Sequence, residues 1–339
     1  MGSDRGELPS IEGAVRFLVE SRDSDVKVIL VGDESLIRKQ LQNLKFYEKL
    51  RMGRDTRVKV QHAPEIVEMR AAATEGIRRK NSSIAVAMRM HKDAAVDAVV
   101  SAGNTGAVMA SAVLTLGRIP GVSRPAIATS FPNKLESRTV LLDGGANVDV
   151  KPENMLQFAQ MGASYAEDVL RVANPRVGLL SIGEEQSKGN DVTLASYQLL
   201  SKGSFNFIGN VEGRDILEGT ADVVVCDGFI GNIILKFAES MKVFLETRVK
   251  RQVSSNYFSR AGAILMGPFL RRIRRTFDYA EYGGAPLLGI AGNCVIAHGS
   301  SSSRAICNAV KVAHKMAASD VNGHIKRRVE TFRRAVMEQ

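Results

Sequence analysis

Short β-branched runs alternate with helical patterns along most of this chain, and that alternation limits the possible folds more than any other feature. Val26–Val31, Val58–Val60, Val96–Val100, Ala126–Phe131, Thr139–Leu142, Arg176–Ser181, Phe205–Ile208, Val223–Cys226 and Cys294–Ala297 read as strands. Several are continuously apolar, as strands covered on both faces are. Asn154–Val172 and Ser302–Ala318 read as helices between them. The alternation predicts an α/β fold, a mostly parallel sheet sandwiched by helices. A chain of 339 residues has room for that. With no repeat and no low-complexity linker, internal domain boundaries are poorly marked, and residues 1–339 read as one unit.

The segments just after the strands carry the chemistry. Val100 leads into Ser101-Ala102-Gly103-Asn104-Thr105-Gly106, and Leu142 into Asp143-Gly144-Gly145-Ala146-Asn147. Ile182 leads into Gly183 through Asn190, Cys226 into Asp227-Gly228-Phe229-Ile230-Gly231-Asn232, and Ala297 into His298-Gly299-Ser300-Ser301. The carboxyl ends of strands form the ligand crevice of open α/β sheets. Glycine lets backbone N–H groups approach an anion, and a helix N-terminus next to it adds partial positive charge. Alone, each loop is an ordinary turn; together they predict a polar, anion-binding cleft.

Absent motifs narrow the reaction. No glycines stand in G-x-G spacing, Lys188 precedes its glycine where a P-loop lysine comes after it, and there is no G-x-S-x-G nucleophile elbow. No histidine stands five positions before an aspartate. Cys226, Cys294 and Cys307 read as reduced core thiols, and the five histidines lack metal-ligand spacing, so no metal is expected. No apolar run approaches the ~18 residues of a spanning helix. The start lacks a secretory signal, giving a cytoplasmic expectation.

These loops, in this order, resemble the acyl-carrier-protein:phosphate acyltransferases of bacterial phospholipid synthesis, the PlsX family. The blocks Val99–Ala107, Leu141–Asn147, Gly183–Asn190, Asn210–Asp215, Asp227–Asn232, Tyr282–Gly289 and Ala297–Ser301 carry the resemblance. It runs from about residue 2 to about residue 315. Members of the family usually begin with an apolar strand ending in a Met-Gly-Gly-Asp-like turn, whereas this chain begins at Met1-Gly2-Ser3-Asp4, inside that turn. The resemblance implies transfer of a long acyl group from acyl-carrier protein to inorganic phosphate, without cofactor or metal. It also implies a homodimer with a fold similar to the isocitrate/isopropylmalate dehydrogenases and phosphate acetyltransferase. The alternatives are a phosphate acetyltransferase or a metal-dependent hydroxyacid dehydrogenase on a related scaffold, or an idle membrane scaffold.

The residues suit that chemistry. Phosphate is already an anion near neutral pH and attacks a thioester without a strong base, so the site must supply positive charge and an oxyanion donor. Lys188 is a compact cation on a glycine-flanked loop, and Asn232 comes directly after Gly231 at the start of a predicted helix. The resemblance points to the same two positions as catalytic; a solvated lysine and a helix cap are the plain alternatives. Secondary candidates for substrate and phosphate are Gly103, Asn104, Thr105, Gly106, Asp143, Asn147, Glu184, Asn190, Asp227, Gly228, Asn293 and His298, each equally a turn former or brace.

The net charge is +10, from 46 basic and 36 acidic residues. Between Arg248 and Arg275 there are eight basic residues and no acidic one. Residues 236–277 read as a long helix plus a basic amphipathic hairpin, broken at Gly267-Pro268, for membrane or partner contact. Phe258, Ile264, Leu265 and Phe269, with Arg271, Arg272, Arg274 and Arg275, are the expected contacts with an anionic membrane surface. A core helix is the alternative. A peripheral location would let the acyl phosphate pass to a membrane glycerol-phosphate acyltransferase. Lacking tryptophan and any recognised binding motif, the chain is not expected to bind nucleic acid. The Lys326-Arg327-Arg328 and Arg333-Arg334 cluster reads as a solvated final helix.

Overall fold

A computed structural model describes residues 2–21, 25–44, 57–254, 257–269, 272 and 279–337. Among them a parallel pair, β1 (Val28–Gly32) and β2 (Val58–His62), packs with the helices Leu8–Glu20 and Glu34–Asn43. Two larger sheets make up the rest. The first comprises β3 (Val99–Ser101), β4 (Ala126–Ile127), β10 (Ala285–Leu288) and β11 (Cys294–Ile296), in the spatial order β3-β11-β10-β4. The second comprises β5 (Thr129–Pro132), β6 (Arg138–Leu142), β7 (Arg176–Leu180), β8 (Asn206–Val211) and β9 (Val223–Val225), in the order β5-β6-β9-β7-β8.

The directions of these strands position the site. β3 and β11 are parallel, whereas β10 runs against both β11 and β4. β4 passes through Ala128 into β5, and β6 returns antiparallel to β5 before β9, β7 and β8 line up parallel to β6. The two sheets therefore run in opposite senses, and their carboxyl edges meet at the β4–β5 junction. The loop after β6 is tied there, with the Gly144 N–H donating to the Ile127 carbonyl at 2.8 Å and the Ile127 N–H to Asp143 Oδ1 at 3.0 Å.

The expected mostly parallel sheet is thus split into two sheets carrying antiparallel members, and β10 was not among the expected strands. Tyr282-Gly283-Gly284-Ala285-Pro286 carries turn signals, yet β10 sits inside the first sheet, where Pro286 needs only to accept, from the Ala128 N–H.

One helix, Pro152–Asp168, joins the sheets. Pro152 fits the first turn, and the small and apolar residues Phe158, Ala159, Met161, Gly162 and Ala163 are buried around its circumference. It packs on Val140, Val177 and Val223 of the second sheet and on Leu288 and Val295 of the first. Gly162 lets it approach closely, because a Cβ there would lie 2.5 Å from Val223 Cγ1.

The C-terminal helix Val321–Met337 is not simply solvated. Val321, Ile325 and Val329 at four-residue spacing are buried in the same core, and Arg328 pairs with Glu167 at 2.6 Å. Cys226, Cys294 and Cys307 are buried and unpaired, as expected. Among the described residues no helix is long and apolar enough to cross a membrane.

Candidate active site

Five polar loops lie at the carboxyl edges of the two sheets. Those after β3 and β11 come from the first sheet; those after β6, β9 and β7 come from the second. Because β9 is the parallel neighbour of both β6 and β7, the loops ending in Asn147, Asn232 and Lys188 emerge side by side.

The loop after β6 forms the floor, with Asp143 at its centre. Its carboxylate is fully buried and accepts from the backbone N–H groups of Ile127, Gly145, Ala146 and Asn147 and from the Asn147 side chain, at 2.7–3.1 Å. Burial pushes this carboxyl up from its ordinary value, and the hydrogen bonds from Ala146, Ile127 and Asn147 act against that shift. Asn147 gives its remaining donor to the Pro125 carbonyl at 2.7 Å. Asp143 and Asn147 therefore shape the loop and have no spare donor to offer a substrate.

The 27-residue helix Gly228–Ser254 starts against this floor. A Cβ on Gly231 would lie 1.9 Å from the Asp143 carbonyl oxygen, and one on Gly228 would lie 2.7 Å from the Asn147 carbonyl oxygen. Only glycine permits that approach, which directs a helix N-terminus and its partial positive charge at the cleft. Asp227 caps the helix, its Oδ1 accepting from the Ile230 N–H at 2.8 Å. Asn232 is therefore relieved of capping. Its carboxamide stands over Gly145, where a Cβ would lie 3.5 Å from Asn232 Oδ1, and the positive φ of Gly145 (131°) also favours glycine.

The loop after β7 presents Lys188. Its N–H donates to the Glu185 carbonyl at 2.9 Å and its carbonyl accepts from Ser181 Oγ at 3.0 Å. Gly189, at φ 127°, then turns the chain into the helix Asp191–Leu200. Lys188 and Asn232 are both exposed, and neither side chain has a hydrogen-bond or ion-pair partner among the described residues.

The other candidates divide by position. Asn104 caps the helix Thr105–Thr115, accepting from the Ala107 N–H, while its amide donates to the Met69 and Ala71 carbonyls at 2.9 and 2.8 Å. It is a brace, with Gly103 and Gly106 packed close to Ile84 and Ala73, whereas Thr105 is exposed. Asn190 caps its helix through the Thr193 N–H and hydroxyl. Glu184 pairs with Arg214 at 3.0 Å. His298 lies at the cleft edge with Nδ1 against Ser300 Oγ at 2.8 Å.

For Asn293 the structure corrects the expectation. It precedes β11 and so lies at the opposite, amino edge of the sheet, donating to the Asp97 carbonyl and accepting from Asn322. Asn210 was not among the expected site residues, although it too enters this region, donating to the Glu185 carbonyl at 2.9 Å. Its position at the end of β8 beside a glycine-flanked loop was the available signal.

Outside the cleft, the stripe Phe229, Ile233, Phe237, Met241 and Phe244 on the long helix is exposed, while its other face (Ile234, Leu235, Ala238) packs on the second sheet. In the next helix, Tyr257–Leu265, Phe258 is 91% and Leu265 81% exposed, and Ile264 and Phe269 are exposed as well. Of the expected basic arm, Arg271, Arg274 and Arg275 lie outside the described residues; Arg272 is described and exposed. Among the described residues no cluster of histidine, cysteine or carboxylate side chains could hold a metal.

The family model for the fatty acid synthesis protein matches residues 1–324. The phosphate acyltransferase of Pelotomaculum thermopropionicum is 44% identical over 98% of this chain and 94% of its own length. That of Desulfitobacterium hafniense is 46% identical over 98% of this chain and 96% of its own. Among solved structures, a phosphotransacetylase from Streptococcus pyogenes superposes with a TM-score of 0.59 at 16% identity, covering 92% of each chain. A branched-chain phosphotransacylase from Enterococcus faecalis gives 0.55 at 10% identity, covering 94% of this chain and 97% of that one. A 4-hydroxythreonine-4-phosphate dehydrogenase from Salmonella typhimurium gives 0.51 at 12% identity, covering 93% of this chain and 97% of that one. At these identities the structural likenesses establish the fold.

Proposed function

Since the chain belongs to the fatty acid synthesis protein family and is an enzyme that transfers an acyl group to phosphate, we propose that it takes a long-chain acyl group from acyl-carrier protein thioester and attaches it to inorganic phosphate in the cleft between the two sheets. The observation that carries this placement is the pair Lys188 and Asn232, two polar side chains without partners among the described residues, one on the loop after β7 and one in the first turns of the helix after its neighbour β9, where the other polar groups largely bond to one another.

In this reading the Lys188 ammonium and the N-terminus of the Gly228–Ser254 helix gather phosphate. A phosphate oxygen attacks the thioester carbonyl carbon, forming the new C–O bond. The Asn232 amide donates to the oxygen that becomes negative in the tetrahedral intermediate, a contribution of about 3 kcal/mol to the barrier. Collapse breaks the C–S bond, the sulfur leaves with the electron pair and acquires a proton from water, and the products are acyl phosphate and carrier thiol. No enzyme-bound acyl intermediate forms.

The exposed apolar stripe on the long helix supports a homodimer that buries it against a second copy, because a row of five large side chains is costly to leave in water. The exposed Phe258, Ile264, Leu265 and Phe269, with the basic residues from Arg271 to Arg275, support peripheral contact with an anionic membrane from the cytoplasm. There an apolar acyl phosphate passes to a membrane glycerol-phosphate acyltransferase. Residues 236–277 then act as a projecting element of a single unit.

Purified protein incubated with acyl-carrier-protein thioester and phosphate should release thiol and acyl phosphate. Lys188→Ala and Asn232→Ala should each lower turnover by about 10²-fold or more. Full turnover by both variants, folded, sinks the site assignment. Leu265→Glu with Phe269→Glu should abolish sedimentation with anionic vesicles; unchanged sedimentation rejects the membrane contact.

A further inference from the structure

Lys188 is held through its backbone, its carbonyl accepting from Ser181 Oγ at 3.0 Å. Its N–H bonds to the Glu185 carbonyl, and the loop from Gly183 to Gly189 is otherwise exposed apart from Gly183 and the half-buried Gly189. The Glu185 carbonyl takes a second hydrogen bond, from Asn210 Nδ2 at 2.9 Å, across from the end of the neighbouring strand β8. Asn210 is 7% exposed, and its Oδ1 is buried with no partner among the described residues. A buried amide oxygen whose acceptor capacity goes unmet is costly, so the Asn210 side chain needs an offsetting role here. A second tie joins the same pieces, Arg214 to Glu184 at 3.0 Å, but both side chains are about two-thirds exposed and this pair is weak and screened.

We propose that Asn210 is a positioning residue for phosphate binding: it anchors the Glu185 carbonyl to β8 and so holds the Lys188 ammonium in the cleft. The proposal rests on Lys188 being the cation that gathers phosphate. A residue on β8 thereby adds a buried tie to a catalytic loop otherwise held by the Ser181 hydroxyl at Lys188 and the exposed Arg214–Glu184 pair. Loss of the anchor lets the loop move, and a shift of about 1 Å is enough to lower a rate by up to ~10²-fold.

The test combines kinetics with loop cleavage. Asn210→Ala should lower kcat/KM for phosphate about tenfold, the worth of one such hydrogen bond, with KM for acyl-carrier thioester unchanged. In a Lys188→Ala background the same change should have less than about a twofold effect, since a residue acting through Lys188 has nothing left to position. Trypsin cleavage between Lys188 and Gly189, mapped by mass spectrometry, should become faster. Asn210→Asp should do no better than Asn210→Ala, because it sets an acceptor against the Glu185 carbonyl; Asn210→Ser serves if either folds poorly. Unchanged kinetics and cleavage, or equal losses in both backgrounds, overturn the proposal. If Lys188→Ala alone keeps full turnover, the Lys188 assignment fails instead, and the cleavage rate still decides whether Asn210 holds the loop.

Discussion

Gly231→Ala separates packing from helix propensity at the centre of the site. The new Cβ would stand 1.9 Å from the Asp143 carbonyl oxygen and 3.1 Å from Cys226 Sγ. Relief requires the helix start and the floor loop to part by about 1 Å, and the floor cannot yield readily, since Asp143 is fixed by five donors. Overpacking of this kind costs about 1–3 kcal/mol or more, against about 1 kcal/mol gained from alanine in a helix. The expected net loss is about 2 kcal/mol, a fall in Tm of about 3 °C for a chain of this size. Asn232 moves with the helix start, so turnover should fall further, by about 10²-fold. Gly262→Ala is the control, because nothing lies within 4 Å of its would-be Cβ and it sits in the exposed helix Tyr257–Leu265. It should be neutral or slightly stabilising. Calorimetry and thiol-release assays on both variants decide the matter. If Gly231→Ala matches Gly262→Ala in stability and activity, the close approach of helix and floor is not what builds the site.

Asp143→Asn should destabilise the protein by about 1–3 kcal/mol or more in urea titration, because it sets an amide donor against N–H groups that need an acceptor. Glu20, bonded to Lys311 at 2.7 Å and to Arg16, is held down to about 2 by those partners. A lowered folded value gives stability that is present above about pH 4.5 and lost as pH falls through about 2. Lys311→Met should therefore lose stability at pH 7, by less than about 1 kcal/mol for so exposed a pair, and converge with the parent toward pH 2 in urea titrations. Burial pushes the Cys294 thiol up to about 12, and raises Cys226 and Cys307 as well, so native protein at pH 8 should react slowly with thiol reagents and unfolded protein fully.

The predicted strands were legible for a simple reason. Runs such as Val223-Val224-Val225 are wholly apolar because helices cover both faces of the sheet, and no solvent-facing position interrupts them. β10 was illegible for the opposite reason, the glycines flanking it and its own proline serving close packing while signalling a turn. Lys188 and Asn232 stood out as polar residues beside glycine at strand ends, a purely local pattern. Their distinction from Asp143, Asn147 and Asn104 was not local. All five are polar residues in similar loops, and only the folded chain shows that three have their hydrogen bonds taken by neighbours far along the sequence.

The order of residues alone determined an α/β architecture, reduced buried thiols and a set of glycine-rich corners suited to an anion, because periodicity and glycine's backbone freedom are properties of short segments. Tertiary structure decided which corners face one another. Asn293 shows the difference: it borders a strand just as His298 does, but strand direction sends one to the amino edge and the other to the cleft. Direction is set by pairing between strands distant in sequence, through β10 and the β4–β5 crossing, and no local pattern encodes it.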